Sequence, residues 1–173
     1  IGPPPRYKKL RELGRKGIKV LMVDSLYSGV DRRTASERIA RHLLEDAMAT
    51  VRDDRSALIV STFSSHIARL KSIVDFGKRT NRQIIFLGRS LNKYVEAAKK
   101  VKECPFYKDI ITVKYRKHVD SILKKVEINR GKYLIVCTGH QGEPGSVLDR
   151  ISKEETPLRL RQGDNIIFSS SVI

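Results

Sequence analysis

Four short stretches put groups suited to phosphate or proton chemistry at the ends of apolar runs. The first is Asp24, directly after Ile18-Lys19-Val20-Leu21-Met22-Val23. A carboxylate there can bind a metal, orient a histidine or meet a ligand; a turn residue capping local backbone is the competing reading. The second is the hydroxyl-rich loop and helix start Ser61, Thr62, Ser64, Ser65, His66 and Arg69, whose hydroxyls and helix N–H donors suit a phosphate. Plain N-capping by Ser64 or Ser65 would explain the same pattern. The third is Gly88-Arg89-Ser90: a glycine turn, a forked donor and a capping hydroxyl. The fourth runs from Tyr133 to Ser146, an apolar strand ending in Thr138-Gly139-His140-Gln141-Gly142-Glu143-Pro144-Gly145. His140 has the right kind of side chain for a general acid or base, with Glu143 placed to orient it; a loop histidine without a role is the plainer alternative.

Those groups need a scaffold, and the pattern around them predicts one. Apolar runs at Ile18–Val23, Ala57–Val60, Gln83–Leu87, Ile110–Val113, Tyr133–Cys137 and Asn165–Phe168 read as strands. Between them lie helical spacings: Arg6–Arg15, a helix opened by the capping box Thr34-Ala35-Ser36-Glu37, one carrying Ile67, Leu70, Ile73 and Val74, one capped by Ser90, one over His118–Glu127, and a short one at Val147–Ile151. Strands alternating with helices predict an α/β domain: a mostly parallel sheet covered by helices on both faces, Rossmann-like and three-layered. The simplest organisation is a single domain over residues 1–173.

The chain carries 35 Lys and Arg against 19 Asp and Glu, a net charge of +16, which points to a polyanion and to nucleic acid first. Its middle is strongly basic: Lys99-Lys100, Lys114, Arg116-Lys117, Lys124-Lys125 and Arg130, with Tyr94, Tyr107 and Tyr115 among them. A surface of that kind tracks a nucleic-acid backbone, although any one basic pair is more simply a solvated helix face. The two cysteines, Cys104 and Cys137, are too few for a disulfide framework or a zinc site, and a reducing cytoplasm fits them. The histidines His42, His66, His118 and His140 show no metal-ligand spacing, so no metal site is expected within the chain. A P-loop, a dinucleotide-binding glycine pattern and a Gly-x-Ser-x-Gly elbow are missing, as are a membrane-length apolar run and a signal peptide. The first residues, Ile1-Gly2-Pro3-Pro4-Pro5, and the last, Ser171-Val172-Ile173, look cut from a longer chain.

In order along the sequence, these stretches resemble the β-CASP domain of ribonuclease J, its archaeal branch above all. The resemblance is carried by Val23-Asp24-Ser25-Leu26-Tyr27, by Ser61-Thr62-Phe63-Ser64-Ser65-His66-Ile67-Ala68-Arg69, by Phe86-Leu87-Gly88-Arg89-Ser90, and by Cys137-Thr138-Gly139-His140-Gln141-Gly142-Glu143-Pro144-Gly145-Ser146. Gly163 to Ser170 is similar to the closing strand of that domain. Bacterial members usually have Asn at the position of His66 and Ser at that of His140.

The resemblance implies a parent enzyme in which this domain is inserted into a metallo-β-lactamase fold. That fold holds two zinc ions through an HxHxDH motif, found nowhere in this sequence, and hydrolyses RNA with a metal-activated water, as a 5′-to-3′ exonuclease and sometimes an endonuclease. Asp24 would be the acidic residue close to the chemistry. Ser61, Thr62, Ser64, Ser65, His66, Arg69, Arg89, Ser90, Thr138, Gly139, His140 and Glu143 would line the path of a single-stranded RNA. The implied partners are that RNA and the metallo-β-lactamase domain, with no membrane, and homo-oligomerisation is left open. Two rival readings stay in play: a stand-alone, non-catalytic RNA-binding module, and a small-molecule enzyme of Rossmann-like type using His140 and Glu143.

Overall fold

The computed structural model describes residues 5–25, 28–31, 36–51 and 55–170. The chain divides into two compact units, Ile1–Ser36 and Glu37–Ile173.

In the second unit the apolar runs become a five-stranded sheet. Its strands are β1 (Leu58–Ser61), β2 (Gln83–Leu87), β3 (Ile110–Val113), β4 (Tyr133–Cys137) and β5 (Asn165–Phe168). They lie in the order β3-β2-β4-β1-β5, and every pairing is parallel. The fourth strand therefore inserts between the first two: Ile135 is level with Ile59 on one side and with Ile85 on the other.

Strand side chains alternate between faces, and two separate cores result. Leu58, Val60, Ile84, Phe86, Leu134 and Val136 pack with Leu44 and Met48 of α2 (Glu37–Ala49), with Leu70, Ile73 and Val74 of α3 (Ile67–Gly77) and with Leu91 and Val95 of α4 (Arg89–Lys100). The intervening residues Ile59, Ile85, Leu87, Ile135 and Cys137 pack with Val119, Leu123 and Val126 of α5 (Arg116–Ile128) and with Val147, Leu148 and Ile151 of α6 (Val147–Ser152). The result is a three-layer α/β unit, the architecture expected for the resemblance. Both cysteines are buried and free, and burial pushes the Cys137 thiol up to about 12, so it behaves as a small apolar side chain.

Charged groups staple the far edge. The buried Arg130 guanidinium pairs with Asp164 and Glu127 and donates to the Arg159 carbonyl at 2.9 Å. Asp164 also accepts from the backbone N–H of Ala57 at 2.8 Å, which fixes β5 beside the start of β1.

The first unit contains the expected N-terminal helix, α1 (Tyr7–Lys16). The run Ile18–Val23 forms no strand ladder among the described residues, and Val20, Leu21, Met22 and Val23 are 75%, 73%, 91% and 67% exposed. An apolar sequence supplies strand propensity, but a strand also needs a neighbour to take its backbone N–H and C=O groups. The capping residues Thr34 and Ala35 lie outside the described residues, as do Leu26 and Tyr27; α2 is described from Glu37.

Candidate nucleic-acid interface

The loops after β1, β4 and β2, the three central strands, meet at the carboxyl edge of the sheet. They enclose a crevice of about 430 Å³ lined by Phe63 and Ser64, by Gly88, Arg89 and Ser90, and by Thr138, His140 and Glu143 through Val147. In open parallel sheets this is where ligands gather, because strand ends and helix N-termini converge there.

Each wall has a local cause. Behind β4, Gly139 adopts φ +123°, and a Cβ placed on it would lie 2.5 Å from the Ser146 Oγ and 2.7 Å from the Leu148 Cβ. Only glycine allows the chain to double back this closely onto α6. Ser146 then caps α6, its hydroxyl accepting the Asp149 N–H at 3.2 Å. Behind β2, Gly88 holds φ +109°, and its N–H donates to the Val113 carbonyl at 3.0 Å. α4 starts at Arg89 with no side chain capping it, so its first N–H groups are left for water or an anion. Arg89 and Ser90 are exposed, and the Arg89 guanidinium makes no hydrogen bond or ion pair among the described residues. Behind β1, the Phe63 ring meets the His140 imidazole edge-on, with centroids 4.2 Å apart.

The sequence expectations divide on this geometry. Ser64, Arg89, Ser90, Thr138, His140 and Glu143 line the crevice, and Gly139 shapes it. Ser61 and Thr62 do not line it: both are buried, and the Thr62 hydroxyl donates to the Ser169 carbonyl at 2.8 Å. Arg69 is committed elsewhere. Its guanidinium grips the Glu37 carboxylate at 2.5 and 2.7 Å and donates to the Ser169 carbonyl at 2.7 Å. This pairing holds the Glu37 carboxyl below the usual carboxylate range, against the opposing effect of burial. His66, not a serine, caps α3: its Nδ1 accepts the Arg69 N–H at 3.3 Å, and its Nε2 lies 3.4 Å from Glu37. Ser65 is exposed at the same corner. Ser90 lies inside the first turn of α4, whose cap position belongs to Gly88.

Glu143 does not orient His140. Its carboxylate accepts the Gln141 N–H at 3.0 Å, and both His140 ring nitrogens are buried with no partner among the described residues. A histidine–carboxylate pair able to move a proton is therefore not assembled here. Among the described residues no group of three or more His, Cys, Asp or Glu side chains is placed to hold a metal ion. Asp24 is exposed and belongs to the first unit, whereas the crevice is built wholly from the second.

The sequence reading missed Asn92 as a structural element of this edge. Fully buried, its side-chain amide donates to the carbonyls of Phe86, Gly88 and Val113 at 3.2, 2.7 and 3.0 Å, tying the ends of β2 and β3 together. A polar residue on the apolar face of α4, four after Gly88, was the available signal.

Comparison with known proteins agrees with this architecture. The family model for the ribonuclease J β-CASP domain matches residues 55–173. Over 172 residues the chain is 39% identical to Ribonuclease J of Pyrococcus abyssi, covering 99% of this chain and 38% of that protein. It is 33% identical over 174 residues to Ribonuclease J of Methanocaldococcus jannaschii, covering 100% of this chain and 39% of that one. Ribonuclease J 2 of Staphylococcus aureus is 27% identical over 166 residues, covering 95% and 28%. The chain thus spans less than two-fifths of the length of these relatives. With the family model and the archaeal relatives in agreement along the chain, this protein belongs to the ribonuclease J β-CASP domain family.

Proposed function

We propose that the chain is the RNA-holding β-CASP part of a ribonuclease J-like, metal-dependent RNA hydrolase, and that its carboxyl-edge crevice grips the backbone or 5′-phosphate of a single-stranded RNA. The observation that carries this reading is the convergence of three loops on the crevice beside a helix start with no side-chain cap and an Arg89 that is unpaired among the described residues. Arg89 offers a forked donor to phosphate, and Ser90 and Ser64 add hydroxyls. Glu143 brings a carboxylate into the same crevice, a group that repels phosphate and suits a ribose 2′-hydroxyl as donor. The surplus of basic residues supplies long-range attraction.

The two zinc ions and the hydrolytic water implied by the family do not fit on the described residues, which offer no metal-ligand cluster. In this reading they belong to a metallo-β-lactamase domain in the longer protein, with Asp24 as this chain's contribution near them. No helix of the described residues is long and apolar enough to cross a membrane, and the two free, buried cysteines fit a reducing cytoplasm.

The test is binding of a fluorescent single-stranded RNA as a function of salt. The chain should bind with a steep loss of affinity as salt rises, and Arg89→Ala should weaken binding and lower the slope of log K against log salt by about 0.7, the value of one phosphate contact. Binding that is insensitive to salt and tightens with the base of a mononucleotide would favour a small-molecule site instead. The isolated chain should cleave no RNA with Zn²⁺ or Mn²⁺ added.

A further inference from the structure

A second cavity of about 570 Å³ lies at the end of β3, and Val113 in its wall accepts the N–H of Gly88 from the wall of the crevice. Its walls include Asn92 and Glu96 of α4, Val113 and Lys114 at the end of β3, and Tyr115 and His118 at the start of α5. Tyr115 is 58% exposed, and its hydroxyl makes no hydrogen bond among the described residues. His118 meets it edge-on at 6.1 Å, and the Lys114 ammonium stands 5.8 Å from its centroid. The other tyrosines of the basic region are placed differently. The Tyr107 ring is covered by the Lys99 ammonium at 3.8 Å, and Tyr94 lies on α4 outside both cavities.

We infer that Tyr115 is a stacking platform for one unpaired base of a bound single-stranded RNA, with Lys114, Arg116 and Lys117 flanking it along the sugar–phosphate backbone. An aromatic ring left open to water beside a cavity gives up apolar surface for no gain in folding, and a base is a flat apolar partner for it. The flanking charges fit the same occupant. Arg116 and Lys117 are exposed and make no ion pair among the described residues, and Lys114 meets Glu96 only loosely, at 3.9 Å.

The position relative to the crevice makes the two sites one track. Asn92 clamps the end of β3 to the turn that opens into Arg89, and adjacent strands lie about 4.8 Å apart. An RNA strand held at Arg89 would continue across this joint to Tyr115. This inference rests on the reading of the crevice as an RNA-backbone site, and the experiment separates the two.

The measurement is the affinity of the chain for three probes: a single-stranded RNA of about ten nucleotides, the same oligomer with abasic sugars throughout, and adenosine 5′-monophosphate. Tyr115→Ala should weaken the RNA about 5- to 150-fold, and Tyr115→Phe should keep wild-type affinity because the ring is retained. The abasic oligomer should bind wild type and Tyr115→Ala equally. The mononucleotide should be indifferent to Tyr115 and sensitive to Arg89→Ala. Far-UV circular dichroism of each variant should match wild type, as expected for an exposed side chain. RNA binding that depends on Arg89 but not on Tyr115, or an equal loss in Tyr115→Phe, overturns the platform and leaves the crevice standing. Absence of RNA binding altogether overturns both.

Discussion

The Phe63 ring stands edge-on to the His140 imidazole, centroids 4.2 Å apart and planes 74° from each other. This contact joins the loop after β1 to the loop after β4. It holds His140 through its ring, while both nitrogens lie buried without a hydrogen bond among the described residues. An unsatisfied buried polar atom opposes folding by about 1–3 kcal/mol. His140→Leu, which keeps bulk and drops the polar atoms, should therefore leave the urea midpoint unchanged or raise it. A loss above about 1 kcal/mol would mean that water or another group satisfies the imidazole in solution.

Gly139 and Gly142 both have positive φ, at +123° and +71°, but only Gly139 is crowded. Gly142→Ala should cost about 1–2 kcal/mol, the left-handed backbone penalty alone. Gly139→Ala adds overpacking against Ser146 and Leu148, and should cost about 2–4 kcal/mol. Equilibrium unfolding of the two variants side by side checks the difference, and equal costs would contradict the close approach of the loop to α6.

Arg130 and Asp164 have side chains only 7% and 5% exposed. Removing one partner leaves the other charge buried, so Asp164→Ala should destabilise by about 3–5 kcal/mol. It also removes the acceptor of the Ala57 N–H, so protection from hydrogen exchange should fall first at the start of β1.

The Arg69 hydrogen bonds lower the Glu37 carboxyl in the folded state. A depressed folded value means that this contribution is full above the unfolded carboxylate range, near pH 4.3. It is lost as pH falls through the lower, folded value. Glu37→Gln should therefore flatten the acid limb of stability against pH below about pH 4.5 and leave the shape of the curve above neutrality unchanged. An acid limb identical to wild type would show that other carboxylates govern it.

The centre of the sheet was legible in the sequence because β1, β2 and β4 are buried on both faces. Leu134-Ile135-Val136-Cys137 is continuous apolar sequence, and the structure sends Leu134 and Val136 to one core and Ile135 and Cys137 to the other. Ile18–Val23 carries the same local signal and forms no ladder among the described residues, since pairing depends on a neighbour that composition does not specify. At the candidate site, Arg89, Ser90 and the loop from Thr138 to Glu143 were legible through their glycines, which mark where backbone must turn tightly. Arg69 was not. A phosphate ligand and a structural ion pair use the same guanidinium, and only the fold brings Glu37, 32 residues earlier, against it. The order of strands was likewise hidden, because nothing in β4 itself announces that it will sit between β1 and β2.

That insertion sets a schedule for the growing polypeptide. A ribosome releases β1 and β2 well before Tyr133, yet both strands need β4 as a neighbour. Until Cys137 has emerged, the nascent chain carries two very apolar edges with nothing between them, the condition in which chains associate wrongly or recruit chaperones. Assembly of the sheet's centre is consequently a late, long-range event, and a translational pause placed before Tyr133 is where this domain would be most exposed to misfolding.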